Sequence, residues 1–363
     1  MSKVKEFLKR KDIIFSARRY GIDALGAMAQ GLFCTLLVGT ILNTIGQQFG
    51  IDFLNRVIVT LKSGDSEIHY TIGGLASAMV GPGIAIAIGF ALRCPPLVLF
   101  SLIPVGFAAN AMGGAGGPLA VYFVAIVASE CGKLVSKETK VDILVTPIVT
   151  VLSGIGISAL VAAPIGAAAS AVGDFVKWAT VLQPFWMGIL VSAVIGIALT
   201  LPISSAAICA ALGLTGLAGG AAVAGCCAQM VGFAVMSFRE NRWGGLVAQG
   251  VGTSMLQMPN IVKNPRIWIP PTLASMITGP LATCLFQLEM NGAPVSSGMG
   301  TCGFVGQIGV YTGWVASGDP ITAFDWIGLV LICFILPAVL TWLISLPLRK
   351  WGWIKENDLK LDL

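Results

Sequence analysis

Charge is what this chain has least of: Asp, Glu, Lys and Arg make up 11% of its 363 residues, against 56% hydrophobic residues. A water-soluble domain needs roughly 25% charged residues to coat its surface. A soluble globule is therefore excluded, and most of the surface must face lipid. The apolar runs are continuous, without the alternation of apolar and polar residues that a transmembrane β-barrel requires. A single histidine, His69, leaves nothing for a histidine-built metal centre, so neither a metal nor another cofactor is expected. Without HExxH, P-loop or GxSxG patterns, hydrolase and ATPase chemistry have no residues to stand on, and no catalytic residue is expected. The nine cysteines show no CxxC spacing and lie mostly in apolar runs, as free thiols that pack like small apolar groups do. Nothing beyond the basic N-terminus speaks for nucleic-acid binding.

What the sequence has is membrane-spanning length, many times over. Apolar segments long enough to cross run over 21–46, 70–92, 95–112, 117–135, 143–164, 184–202, 218–237, 271–290 and 324–347. A further segment, 203–217, is short and rich in Ala and Gly, and is either a compact span or a re-entrant piece. Basic residues arbitrate, because they concentrate on the cytoplasmic side. With ten crossings and both termini inside, only Arg56, Lys62 and Lys177 of the 22 Lys and Arg fall outside. The expectation is an all-α polytopic membrane protein of about ten transmembrane helices plus two re-entrant hairpins. Residues 1–20 would be a basic amphipathic leader on the membrane surface, 21–348 a transmembrane transport domain and 349–363 a cytoplasmic tail. The first apolar run has full span length, so no cleavable signal peptide is expected. Trp351 and Trp353, beside Arg349 and Lys350, read as an interface anchor.

The expected hairpins are 244–260, GGLVAQGVGTSMLQMPN, and 291–313, NGAPVSSGMGTCGFVGQIGVYTG, entering from opposite sides. Non-helical backbone at membrane depth survives only where protein buries it or where it lines a wet cavity, so such pairs point to a solute site. A weak internal echo relates the stretch around Pro147 and Pro164 to that around Pro271 and Pro294. Chance and a duplicated unit account for it equally well.

A polar side chain at membrane depth costs free energy unless it is paired or wet, which makes each one a candidate. Near the hairpins these are Gln249, Gln257, Asn260, Asn291, Ser296, Ser297, Thr301 and Gln307; within spans they are Asn110, Gln229, Glu130 and Glu289. Amides supply donors and acceptors together, which suits a polyhydroxylated solute. Bland alternatives stand beside these readings. Ser and Thr can bond back to their own helix, and Asn110 can cap a helix before the run Gly113–Gly117. Glu130 lies one turn from Lys133 and can form an ion pair. Glu289 can be solvated at a span end, and His69, in an expected outer loop with Asp65 and Glu67, can be a surface residue.

The stretches ARRYGIDALGAMAQGLFCTLLVGTIL, GGLASAMVGPGIAIAIG, NAMGGAGGPLAVYF and NGAPVSSGMGTCGFVGQ resemble the phosphotransferase-system IIC-like membrane proteins, a family that includes PfoR-like regulators. The resemblance covers almost the whole chain. It implies a multi-pass protein of the bacterial cell membrane, a homodimer, descended from or acting as the sugar-translocating subunit. Glucose-type permeases of that system are expected to carry a histidine and a glutamate at the substrate. This chain has no intramembrane histidine and no GITE-like signature, and no fused IIA or IIB domain is expected. Sugar phosphorylation would therefore require separate IIA and IIB partners. Two functions follow. One is a permease moving a small polar solute, a sugar or sugar derivative, by alternating access. The other is a membrane sensor or regulator that keeps the permease fold and signals through the leader and the 239–266 loop. A passive channel has less behind it, since no ring of like charges is evident.

Overall fold

The computed structural model describes residues 3–63, 66–318 and 320–361. The first two residues of the expected leader, the last two of the expected tail, and Asp65 lie outside them. The described chain is helical apart from one antiparallel hairpin, Val59–Ser63 (β1) with Ser66–Tyr70 (β2), in which Thr60 pairs with His69. The expected outer loop is thus a small sheet. Its alternating VTLKS and SEIHY were the signal for it.

Among the described residues, five helices are long and apolar enough to cross a bilayer, or six if one bent pair counts as a single span. Contacts divide the chain into two compact units, Met1–Ala168 and Ala169–Leu363.

In the first unit a short helix, Lys3–Arg10 (α1), precedes the 31-residue Arg19–Phe49 (α2). Ile72–Ala78 (α3) and Val80–Ala91 (α4) meet at a 53° bend. Pro82 accounts for the bend, because its ring lacks an N–H and crowds the carbonyl four residues back, at Ala78. The 40-residue stretch Pro96–Val135 is about twice a span and breaks at Gly114 (φ 51°, ψ −124°) into Pro96–Gly113 (α5) and Gly117–Val135 (α6). It therefore divides where the expected spans 95–112 and 117–135 divide. Close backbone approach holds the unit together: a Cβ on Gly31 would sit 2.6 Å from Gly83 O, so α2 reaches α4 only because both positions are glycine.

Asp142–Ala179 (α7) corrects the expected span 143–164. It runs unbroken through Pro147 and Pro164 for 38 residues, about 57 Å. Each proline removes a single hydrogen bond, which a long helix can tolerate.

The second unit is built around Gly216–Met236 (α10), the most enclosed of the apolar helices, with 89% of its apolar window buried. Pro184–Thr200 (α8), Ile269–Pro280 (α13) and Ala323–Lys350 (α15) pack on it. The approach of α8 to α10 again uses glycine: a Cβ on Gly196 would lie 2.7 Å from Gly225 O. The expected span 271–290 ends early, in a π-helical turn at Leu281–Leu285. Segment 203–217 forms only Ser205–Leu212 (α9), about 12 Å long, between Pro202 and the left-handed Gly213. A straight crossing there is ruled out by length, so the tenth crossing that the charge balance favoured does not come from this segment.

Candidate functional site

Both expected hairpins are broken chain within the second unit. The first runs from Phe238–Val247 (α11) through a π-helical turn at Ala248–Gly252, extended Thr253 and a 3-10 turn at Ser254–Gln257 into Met258–Lys263 (α12). The second has 3-10 turns at Pro294–Gly298 and Cys302–Phe304 before Val305–Ser317 (α14). Left-handed backbone at Gly300 (φ 52°), Gly303 (φ 51°) and Phe304 (φ 58°) makes its reversal. Gly300 rests directly on α10, where a Cβ would lie 2.6 Å from Cys226 Cβ. The turns Ala248–Gly252 and Cys302–Phe304 pack against each other. The broken segments of both hairpins therefore meet beside α10.

The first hairpin carries a chain of amides. Asn260 Nδ2 donates to Gln257 Oε1 (2.9 Å), and Gln257 Nε2 donates to Gln249 Oε1 (2.8 Å). Gln249 Nε2 in turn donates to Ser237 Oγ (2.8 Å). The C-terminal tail closes this ladder: Leu359 O accepts from Gln257 (3.0 Å) and from Asn241 (2.7 Å), and Lys360 O accepts from Asn260 (2.8 Å). Leu359 is fully buried and Ile354 nearly so.

A second polar cluster sits where Gln229 of α10 faces α8 and α13. Gln229 Oε1 accepts from Trp268 Nε1 (2.9 Å) and Thr200 Oγ1 (3.3 Å), while its Nε2 donates to Thr272 Oγ1 (3.3 Å). Thr200 also meets Ser254 of the first hairpin at 2.8 Å. Sequence reasoning found Gln229 but missed Thr200, Trp268 and Thr272, because each is unremarkable until the helices bring them together.

On the second hairpin, Ser297 Oγ donates to Leu214 O (2.7 Å), and Thr301 Oγ1 lies 3.6 Å from Met230 Sδ. Ser296 is buried against Gly309. Gln307, 7% exposed, donates through Nε2 to Cys227 Sγ (3.2 Å), but its Oε1 has no hydrogen-bond partner among the described residues. Exchanging the two amide atoms would leave the NH2 unpartnered instead, so one polar atom of Gln307 stands unmatched either way. Among the described residues the other buried oxygens without a hydrogen-bond partner are hydroxyls of Ser129 and Thr341 and one carboxylate oxygen each of Glu130 and Glu240, both glutamates being ion-paired, Glu130 through that same oxygen.

Four expected candidates, Asn110, Glu130, Glu289 and Asn291, take no part in these contacts. Asn110 belongs to the first unit, packed on Gly81 and Gly117. Glu130, also in the first unit, is paired with Lys133 at 2.8 Å. Glu289 is exposed and accepts from Asn291 Nδ2 (2.8 Å), whose Oδ1 accepts from Gly216 N (3.0 Å). These two residues fasten the hairpin's entry to α10. Both side chains are exposed, and these hydrogen bonds satisfy part of their polarity.

A family model described as Phosphotransferase system, EIIC matches residues 22–361. The chain belongs to that family. No curated protein and no solved structure matches it. EIIC domains are the membrane permease components of sugar transport in the phosphotransferase system, and they generally work with separate IIA and IIB components. In this EIIC chain the match takes in both hairpins, the Gln229 cluster and the tail carbonyls that close the first hairpin.

Proposed function

We propose that this EIIC chain moves a small polar organic solute, a sugar or sugar derivative, by alternating access, and that the solute binds at the second hairpin. The observation that carries the reading is the unmatched polar atom of Gln307, buried beside α10 in glycine-rich backbone. A buried amide without a partner costs about 1–3 kcal/mol, and a solute hydroxyl would remove that penalty. Ser296, Ser297 and Thr301 lie on the same hairpin. Glycines beside them let a ligand approach the backbone. The Gln229 cluster, joined to the first hairpin through Thr200 and Ser254, lies within the same bundle.

Binding tests this without any phosphoryl donor. Purified protein is screened against labelled hexoses, pentoses and hexitols by scintillation proximity, and Gln307→Leu is compared with wild type. The expected result is a loss of about tenfold or more in affinity for the compound that wild type retains. Equal affinity would remove Gln307 from the site.

A second reading, the PfoR-like sensor, has one observation in its favour. The tail's carbonyls grip the first hairpin, so a change in the hairpins has a direct route to the chain's C-terminal segment. Deleting residues 2–15 separates the two roles: lost signalling with intact uptake supports the sensor, and the reverse supports the permease.

A further inference from the structure

The first unit holds a cavity of about 360 Å³ lined by Arg10, Lys11, Asp12, Arg93, Lys133 and Lys137, together with Pro95, Ser136 and Glu138. Most of these charges are already matched. Glu138 takes Arg10 (2.7 Å) and Lys11 (2.5 Å), Asp12 takes Arg19 (2.7 Å), and Lys133, 1% exposed, takes Glu130 (2.8 Å). Lys133 Nζ also donates to Asp12 O (3.1 Å) and Leu92 O (3.3 Å), and Lys11 Nζ donates to Ser136 O. Arg93 and Lys137 have no carboxylate within ion-pair distance among the described residues. Two side chains on the cavity wall therefore carry positive charge without a direct ion pair, with Asp12 the carboxylate that Arg93 acts on at longer range and Asp142 the one that Lys137 acts on.

Both of those residues sit in left-handed backbone, Arg93 at φ 56° and Lys137 at φ 60°. Arg93 closes α4, with its N–H on Phe90 O and the next N–H on Gly89 O, the position where glycine is ordinarily found. A side chain there costs about 1 kcal/mol over glycine. That two such positions carry the two unmatched cations of one cavity indicates a role for the charge. Of the apolar residues just after Asp12, Ile13 is buried, while Ile14 is 51% exposed and Phe15 76%. This arrangement suits a lipid, with an anionic headgroup among the cations and acyl chains along the apolar residues.

We propose that this cavity is a binding site for a phosphate-bearing anion, held by Arg93 and Lys137, with an anionic phospholipid headgroup as the source that the adjoining apolar residues favour. Arg93 can take two phosphate oxygens at once and Lys137 acts as a point charge.

The test uses the full chain in nanodiscs of phosphatidylcholine alone and of phosphatidylcholine doped with phosphatidylglycerol, with native mass spectrometry counting retained lipid. The Arg93→Gln/Lys137→Gln pair is expected to lose phosphatidylglycerol retention by about tenfold. Arg239→Gln/Lys355→Gln, which removes equal charge from another basic cavity, should retain it. Arg93→Gly relieves the left-handed backbone, so it should be at least as stable as wild type and still hold less of the lipid. A second arm adds inorganic phosphate against chloride at equal ionic strength. A thermal shift in wild type that the first pair abolishes, without lipid preference, assigns the site to a free phosphate group. Equal lipid retention and equal phosphate response in wild type and the Arg93/Lys137 pair would overturn the proposal. So would an equal loss in the control pair, which would mean diffuse attraction and no site.

Discussion

The two hairpins of the second unit use the same ingredients to opposite ends. In the first, the amides of Gln249, Gln257 and Asn260 form a head-to-tail ladder, and carbonyls of the returning tail take the donors left over. In the second, hydroxyls tie the backbone to its neighbours while Gln307 keeps one polar atom unmatched. A satisfied buried network rigidifies, because each bond polarises the next and no member can leave without orphaning another. An unsatisfied group does the reverse: it destabilises the empty state and rewards a ligand. Buried polar residues are thus not equivalent candidates, and the proposed site rests on the hydrogen bond that Gln307 leaves unmade.

Three substitutions test that separation. Gln257→Leu should have the largest effect on folding, since it orphans groups on Gln249, Asn260 and the tail together. Chemical unfolding in detergent should show a loss of about 3 kcal/mol or more. Gly300→Ala should come next, at about 2 kcal/mol, because a Cβ there meets Cys226 in a left-handed conformation. Gln307→Leu should leave stability unchanged or raise it by about 1 kcal/mol, while solute binding falls; a large destabilisation would show that the second hairpin is scaffold too.

Acid should have the smallest effect, and should act away from both hairpins. The buried amides include no carboxylate. Asp12 is held below the ordinary carboxylate range, first by its hydrogen bond with Arg19, and Glu138 is held there first by Lys11. Groups lowered in the folded state contribute stability above the ordinary carboxylate pKa of about 4, and lose it as pH falls through the lowered value. The thermal midpoint should therefore stay flat between about pH 5 and 8 as far as these groups decide it, and decline below about pH 4. Asp12→Asn should reduce that decline.

The breaks in 244–260 and 291–313 were legible because their apolar chain is interrupted by glycine. The long spans were legible by length, as 21–46 within Arg19–Phe49 shows. Other features were not. The 38-residue α7 was hidden by Pro147 and Pro164, since a proline in sequence reads as a break whether or not the helix continues. The tail's grip on Gln257 uses backbone carbonyls, which leave no mark in the residue string. Only Ile354 and Leu359, apolar among charges, hinted that it returns to the protein. Which amides were free was illegible in principle, because it depends on partners from helices far apart in the chain.

Under the proposed function, Gln307 meets solute and Gln257 does not. The most direct measurement is the affinity of each variant, Gln307→Leu and a Gln257→Asn that keeps the amide and remains monodisperse, for the labelled sugar that wild type retains. A loss of about tenfold or more is expected at Gln307 and less than about twofold at Gln257. Wild-type affinity in Gln307→Leu with binding lost in Gln257→Asn would contradict this, as would a wild-type protein that retains no compound of the panel.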